Sequence, residues 1–149
     1  MKTTDELVRE LADREAIREL PMRYCDCLYR KELVGLVSLF TDTGVFSVKD
    51  REHEVSTKGR ARLRKMYEKL VSELQPRPLV HSHVIELLGA NKATGRCYVE
   101  MRSAKLEVEP VGSGCYEDEY VKVGEQWKFA SRRLVEINMA TSLRVFMVS

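Results

Sequence analysis

An α+β fold, with helices on one face of an antiparallel sheet, is predicted by three observations. Apolar residues recur at helical spacing through the first forty positions. A second helical pattern, KGRARLRKMYEKLVSEL, ends at Pro76 and Pro78. From Val80 onward the chain alternates apolar and polar residues, with turn signals between the runs.

The elements follow in order. Thr4 is the expected cap of the first helix, with Asp5 and Glu6 in the first turn favouring its dipole. Leu7, Leu11, Ile17 and Leu20 mark its apolar positions, and Pro21 should end or kink it. A second amphipathic stretch carries Tyr24, Leu28, Leu33, Leu36, Val37 and Phe40. Asp42-Thr43-Gly44 reads as a turn, Val45 to Val48 as a short strand, and the charged run Asp50 to Thr57 as a loop. The third helix places Leu63, Met66, Leu70 and Leu74 on one side. Val80 to Leu88 is the first long strand, turned by Ala90-Asn91-Lys92. Ala93 to Val108 is the next. It aligns Ala93, Cys97, Val99, Met101 and Ser103 on one face and Arg96, Tyr98, Glu100 and Arg102 on the other. Pro110 to Gly114 breaks the pattern. Cys115 to Val123 and Gln126 to Ile137 are strands around a Gly124-Glu125 turn.

At 149 residues the chain reads as one domain, 1–149, long enough to bury a core. Apolar content of 44% with 32% charged residues is that of an ordinary globular protein, and a net charge of +2 argues against a nucleic-acid partner. The basic segment Lys58, Arg60, Arg62, Arg64, Lys65 has no interleaved aromatics and reads as a solvated helix face. No apolar run has the length of a membrane span, so no membrane partner is expected. The charged, amphipathic N-terminus lacks a signal-peptide apolar region, which makes the cytoplasm the expected location. Cys25, Cys27, Cys97 and Cys115 form no CxxC pair and read as reduced, packed thiols.

The stretch PRPLVHSHVIELLG holds two of the three histidines, at spacing two. Strand residues two apart share a face, and Ile85 and Leu87 in the same alternation mark that face as inward. His81 and His83 therefore read as a proton-transfer pair, a metal site or polar residues at a strand entrance. Catalytic zinc needs three protein ligands in a tight arrangement. A third would have to come from distant His53 or Asp118, so no metal is expected. By alternation Tyr116, Asp118 and Tyr120 share a face. Asp118 could orient a histidine, act as a base, or pair across the sheet with Arg132 or Arg133.

DREAIRELPMRYCDCLYRKELVGLVSLFTDTGVF resembles the opening of SnoaL-like proteins of the nuclear transport factor 2-like, or ketosteroid isomerase-like, superfamily. KGRARLRKMYEKL resembles their glycine-led third helix, and GCYEDEYVKVGEQWKFASRRL their last hairpin. The resemblance implies a cone-shaped α+β barrel, in which a curved antiparallel sheet wraps the helices around one internal cavity. It also implies cofactor-independent acid–base chemistry, as in polyketide cyclases, scytalone dehydratase, dehydrochlorinases and steroid isomerases. Other members are non-catalytic binding or dimerisation modules, and the fold alone assigns no reaction.

Carried over residue by residue, the dehydratase-branch tyrosine falls on Tyr24. The aspartate five residues later falls on Tyr29, and a histidine on the following strand falls on Ser103. The branch histidine at the first long strand matches His81 or His83. The resulting expectation is an isomerase, cyclase or dehydratase acting on a small hydrophobic, oxygenated ligand. His81 or His83 would carry the proton at the cavity mouth, Tyr24 and Tyr29 would donate hydrogen bonds, and Asp118 would orient or share the proton. Val99, Met101, Ser103 and Tyr116 would shape the pocket, with no cofactor. A homodimer is expected through the outward sheet face that carries Tyr98 and Arg102.

Overall fold

A computed structural model describes residues 1–106 and 110–139. Helix α1 spans Thr4–Arg30. Its cap is Thr3, one residue before the expected Thr4, because Thr3 and Glu6 form a reciprocal capping box. The helix runs through Pro21 instead of ending there. A proline forfeits one backbone bond. Here that loss is offset by packing, since Ile17, Leu20, Pro21, Tyr24 and Leu28 are all buried. Leu7 and Leu11, expected on the apolar side, are exposed. At about 1.5 Å per residue the helix is roughly 40 Å long, and its first turns contribute nothing to the core.

The second helix, α2, is only Leu33–Ser38, since Tyr24 and Leu28 belong to α1. Strand β1 covers Phe40–Asp50. The expected turn at Asp42-Thr43-Gly44 is a bulge within this strand, where the register jumps between Phe40 and Val45. The charged run expected as a loop contains strand β2, His53–Lys58, paired antiparallel to β1 and largely exposed. An edge strand with a solvated face has no apolar alternation to reveal it. Helix α3, Arg60–Glu73, buries Leu63, Tyr67 and Val71.

Strand β3 begins at Pro76 rather than Val80 and ends at Leu87. Among the described residues it pairs only with β4, Lys92–Ser103, and an edge strand tolerates prolines. On β4 the predicted face is buried: Ala93, Cys97, Val99, Met101 and Ser103. A short 3₁₀ turn, Ala104–Leu106, follows Ser103, and the last two residues assigned to that strand, 107 and 108, lie outside the described residues. Strand β5, Pro110–Val123, includes the segment expected as a break, and β6 covers Gln126–Met139.

The six strands form one curved, unclosed sheet in the order β2-β1-β6-β5-β4-β3. It is not wholly antiparallel, because β1 and β6 run parallel. That is permitted because the long segment from β2 to β5 separates them in the chain. The helices cover one face. Asp13 of α1 accepts hydrogen bonds from the Trp127 indole (2.8 Å) and the Lys122 ammonium (3.1 Å), fixing the helix over the β5–β6 hairpin. Among the described residues no helix is long and apolar enough to cross a membrane.

Candidate functional site

Two one-residue irregularities decide which side chains face the helices. On β3, Val80 pairs with Val99 and Ser82 with Tyr98, which leaves His81 as an extra residue. Pro76, Pro78 and Val80 turn inward before this bulge, and His83, Ile85 and Leu87 after it. His81 and His83 therefore do not share a face. The expectation of two imidazoles aimed one way is corrected: a bulge inverts the alternation on which it rested. His81 is exposed on the outer face, 3.0 Å from Glu100, which also accepts from Arg102. That separation also removes the paired-histidine metal geometry.

The second irregularity lies on β6. Tyr120 pairs with Phe129 and Glu119 with Ser131, which leaves Ala130 as the extra residue. Trp127 and Phe129 face inward before it, and Arg132 and Leu134 after it. Were the strand regular, with Ala130 paired to Glu119, Arg133 would be interior. Instead Arg133 is half-buried on the outer face, paired with Glu54 and Glu117.

Arg132 is fully buried. Its Nε donates to Asp118 Oδ1 (3.0 Å) and its Nη2 to Asp118 Oδ2 (3.3 Å). The guanidinium lies over three rings: Tyr116 at 3.8 Å, Tyr24 at 4.4 Å and Phe129 at 4.7 Å from their centroids. Burial pushes the Asp118 carboxyl above its ordinary value, and Arg132 opposes this. A guanidinium stays charged inside proteins. A buried cation demands a counter-charge, so we assign Asp118 as ionised.

Tyr120 extends the chain of contacts. Its hydroxyl donates to Asp118 Oδ2 (2.9 Å) and lies 2.8 Å from His83 Nε2. The contact crosses an entire strand, from β5 over β4 to β3. It crosses at Gly95, where a Cβ would sit 2.8 Å from the Tyr120 hydroxyl. Burial, and then the positive charges of Arg132 and Arg18, lower the His83 pKa to about 4, so the ring is neutral at pH 7.

The remaining candidates fall into two groups. Tyr24 is buried, its hydroxyl 3.0 Å from that of Tyr67 on α3. Tyr116, Val99 and Met101 are buried on the inner face. Burial raises the pKa of Tyr24, Tyr67, Tyr116 and Tyr120, so all four stay protonated phenols. Ser103 is buried but engaged, donating to the Leu74 carbonyl where β4 ends. Tyr29 is not brought to the interior. It is 54% exposed, and Arg77 stacks on its ring at 4.1 Å and donates to its hydroxyl at 2.8 Å. Cys97 and Cys25 are not nucleophile candidates, because burial pushes their thiols up to about 12 and about 11.

Two buried polar atoms among the described residues have no protein partner: His83 Nδ1 and Arg132 Nη1. One is an imidazole nitrogen and the other a cationic N–H donor. Sequence reasoning assigned no site role to Arg132, Tyr120 or Tyr67. The available signals were that Tyr120 shares a face with Asp118 and that Asp118 would pair with Arg132 or Arg133, and strict alternation from Trp127 and Phe129 favours the wrong arginine.

The architecture is that of the nuclear transport factor 2-like, cystatin-like fold. A SnoaL-like domain matches residues 9–133, and the chain belongs to this family. It is similar to an NTF2-like protein of Novosphingobium aromaticivorans at 20% identity, covering 99% of this chain and 98% of that one, with a TM-score of 0.80. Rv3472(D26N), a function-unknown protein from Mycobacterium tuberculosis, is 25% identical, with 92% and 78% of the chains covered and a TM-score of 0.79. A scytalone dehydratase-like protein of N. aromaticivorans is 22% identical, with 90% and 91% covered and a TM-score of 0.73. No curated protein matches the chain in sequence.

Proposed function

We propose that this chain is a cofactor-independent acid–base enzyme that isomerises, cyclises or dehydrates a small hydrophobic carbonyl compound. The observation that carries this reading is the pair of unmatched buried atoms, His83 Nδ1 and Arg132 Nη1, set among apolar and aromatic side chains. A neutral imidazole accepts a proton from an acidic C–H, and a fixed N–H donor stabilises charge developing on the substrate oxygen. Asp118 already balances Arg132, so a neutral substrate that becomes an enolate suits the site better than a permanent dianion. The likeness to a scytalone dehydratase-like protein is consistent with this chemistry.

A second reading, a non-catalytic ligand-binding module, is favoured by one observation. The position where the dehydratase branch carries its aspartate holds Tyr29, which faces solvent. The two separate in deuterium oxide. The enzyme reading expects a panel of enolisable ketones to exchange α-hydrogens faster with protein than without it. Saturable ligand binding with no exchange, elimination or isomerisation across that panel would leave the binding module.

The outer sheet face, where Tyr98 is partly exposed beside Arg102 and Glu100, is the proposed homodimer contact. Light scattering should give twice the chain mass at micromolar concentration, and a mass of one chain would end that part of the proposal.

A further inference from the structure

Resting on the acid–base reading, we infer that Tyr120 is a positioning residue that selects which nitrogen of His83 meets the substrate. Its phenol holds Nε2 as the protonated nitrogen and leaves Nδ1 as the bare acceptor.

The protons along one chain of contacts fix the tautomer. Ionised Asp118 can only accept. The Tyr120 hydroxyl has a single proton, and its bond to Asp118 Oδ2 uses it. Toward His83, 2.8 Å away, the same oxygen can then only accept. His83 Nε2 is therefore an N–H donor. A neutral imidazole carries one N–H, so Nδ1 carries none. Nδ1 is also the buried nitrogen without a partner. Arg132 sets the protonation of Asp118, Asp118 sets the direction of the Tyr120 hydroxyl, and Tyr120 sets the tautomer of His83.

Gly95 belongs to the device. A Cβ at that position would lie 2.9 Å from both Tyr120 Cε2 and the Val84 carbonyl oxygen, with no room to relax toward the backbone. Only a residue without a side chain lets the phenol lie across β4 and reach β3.

The substrate C–H bond breaks, its proton joins His83 Nδ1, its electron pair forms the C=C bond of an enolate, and the carbonyl π pair moves onto the oxygen facing Arg132 Nη1. The imidazolium so formed keeps its Nε2–H bond to Tyr120. It then returns the proton to a second carbon in isomerisation, or to a departing hydroxide in dehydration.

The test reads the tautomer without any substrate, so it fails or succeeds separately from the activity assay. Protein labelled with ¹⁵N-histidine is examined by long-range ¹H–¹⁵N correlation, with His83→Gln assigning the ring signals. The wild type should show a protonated Nε2 and an unprotonated Nδ1 at pH 7. In Tyr120→Phe the signals should move toward a mixture of tautomers. A wild-type His83 protonated at Nδ1 overturns the inference even if every variant fails to fold. A folded Tyr120→Phe variant with an unchanged tautomer overturns it as well. On an accepted substrate, Tyr120→Phe should lower kcat by about tenfold or more while leaving KM little changed, the scale expected for a group that orients a histidine.

Discussion

Asp118→Asn should destabilise the protein by about 3–5 kcal/mol, the usual cost of leaving one member of a buried ion pair alone. Arg132 is fully buried, and both of its contacts to Asp118 are made inside the core. Asparagine keeps the shape but removes the charge, so the guanidinium loses its counter-ion without gaining water. For a chain of this length the loss corresponds to a drop in Tm of roughly 10 °C or more. Thermal and urea denaturation would measure it. Replacing both partners with apolar residues, as in Asp118→Leu with Arg132→Met, should recover much of the loss, because the pair then no longer has to be desolvated. A single variant within about 1 kcal/mol of wild type would mean that water reaches this pair and that the charge assignment is wrong.

His83→Ala should lower turnover about a hundredfold or more, the ordinary contribution of a general acid–base group. Folding at neutral pH should survive, since Tyr120 retains its bond to Asp118 and His83 is only half-buried. The pH dependence is specific. The folded pKa of about 4 lies below the ordinary histidine value near 6.5. The His83 imidazole is therefore already in its accepting form across the neutral range, and, with His83 as the proposed base, the activity limb should have a midpoint near pH 4. The same shift acts on stability. Between about pH 6.5 and 4 the unfolded chain binds a proton that the folded chain does not, so stability falls as pH falls through that window. His83→Ala should lose this component, which a pH series of melts on both proteins would resolve. An activity midpoint near 6.5, or an identical pH-dependence of melting in the variant, would place the reacting group elsewhere. Full turnover in the variant would make His83 structural.

The parts of the fold that could be read from the chain were those with an apolar period. The third helix and the inner face of β4 are where alternation placed them, because burial of one face selects such patterns directly. Strand β2 has no buried face to leave a pattern. The uninterrupted helix through Pro21 depends on core contacts made far along the chain. The interior position of Asp118 was legible as a shared face with Tyr116 and Tyr120. Its bond to Tyr120 was not, because that geometry requires the ring to turn across Gly95 toward a third strand.

By itself the sequence determined the class of fold, the helix and strand faces that carry regular apolar spacing, and the residue types from which an acid–base site could be built. Only the tertiary structure decided which of them meet. One extra residue at His81 sends that histidine outward and keeps His83 in, and one at Ala130 chooses Arg132 over Arg133. Side chains in a strand alternate with period two, so a single inserted residue reverses every orientation beyond it. The insertion is visible only in the pairing with a neighbouring strand, which no local stretch of the chain contains.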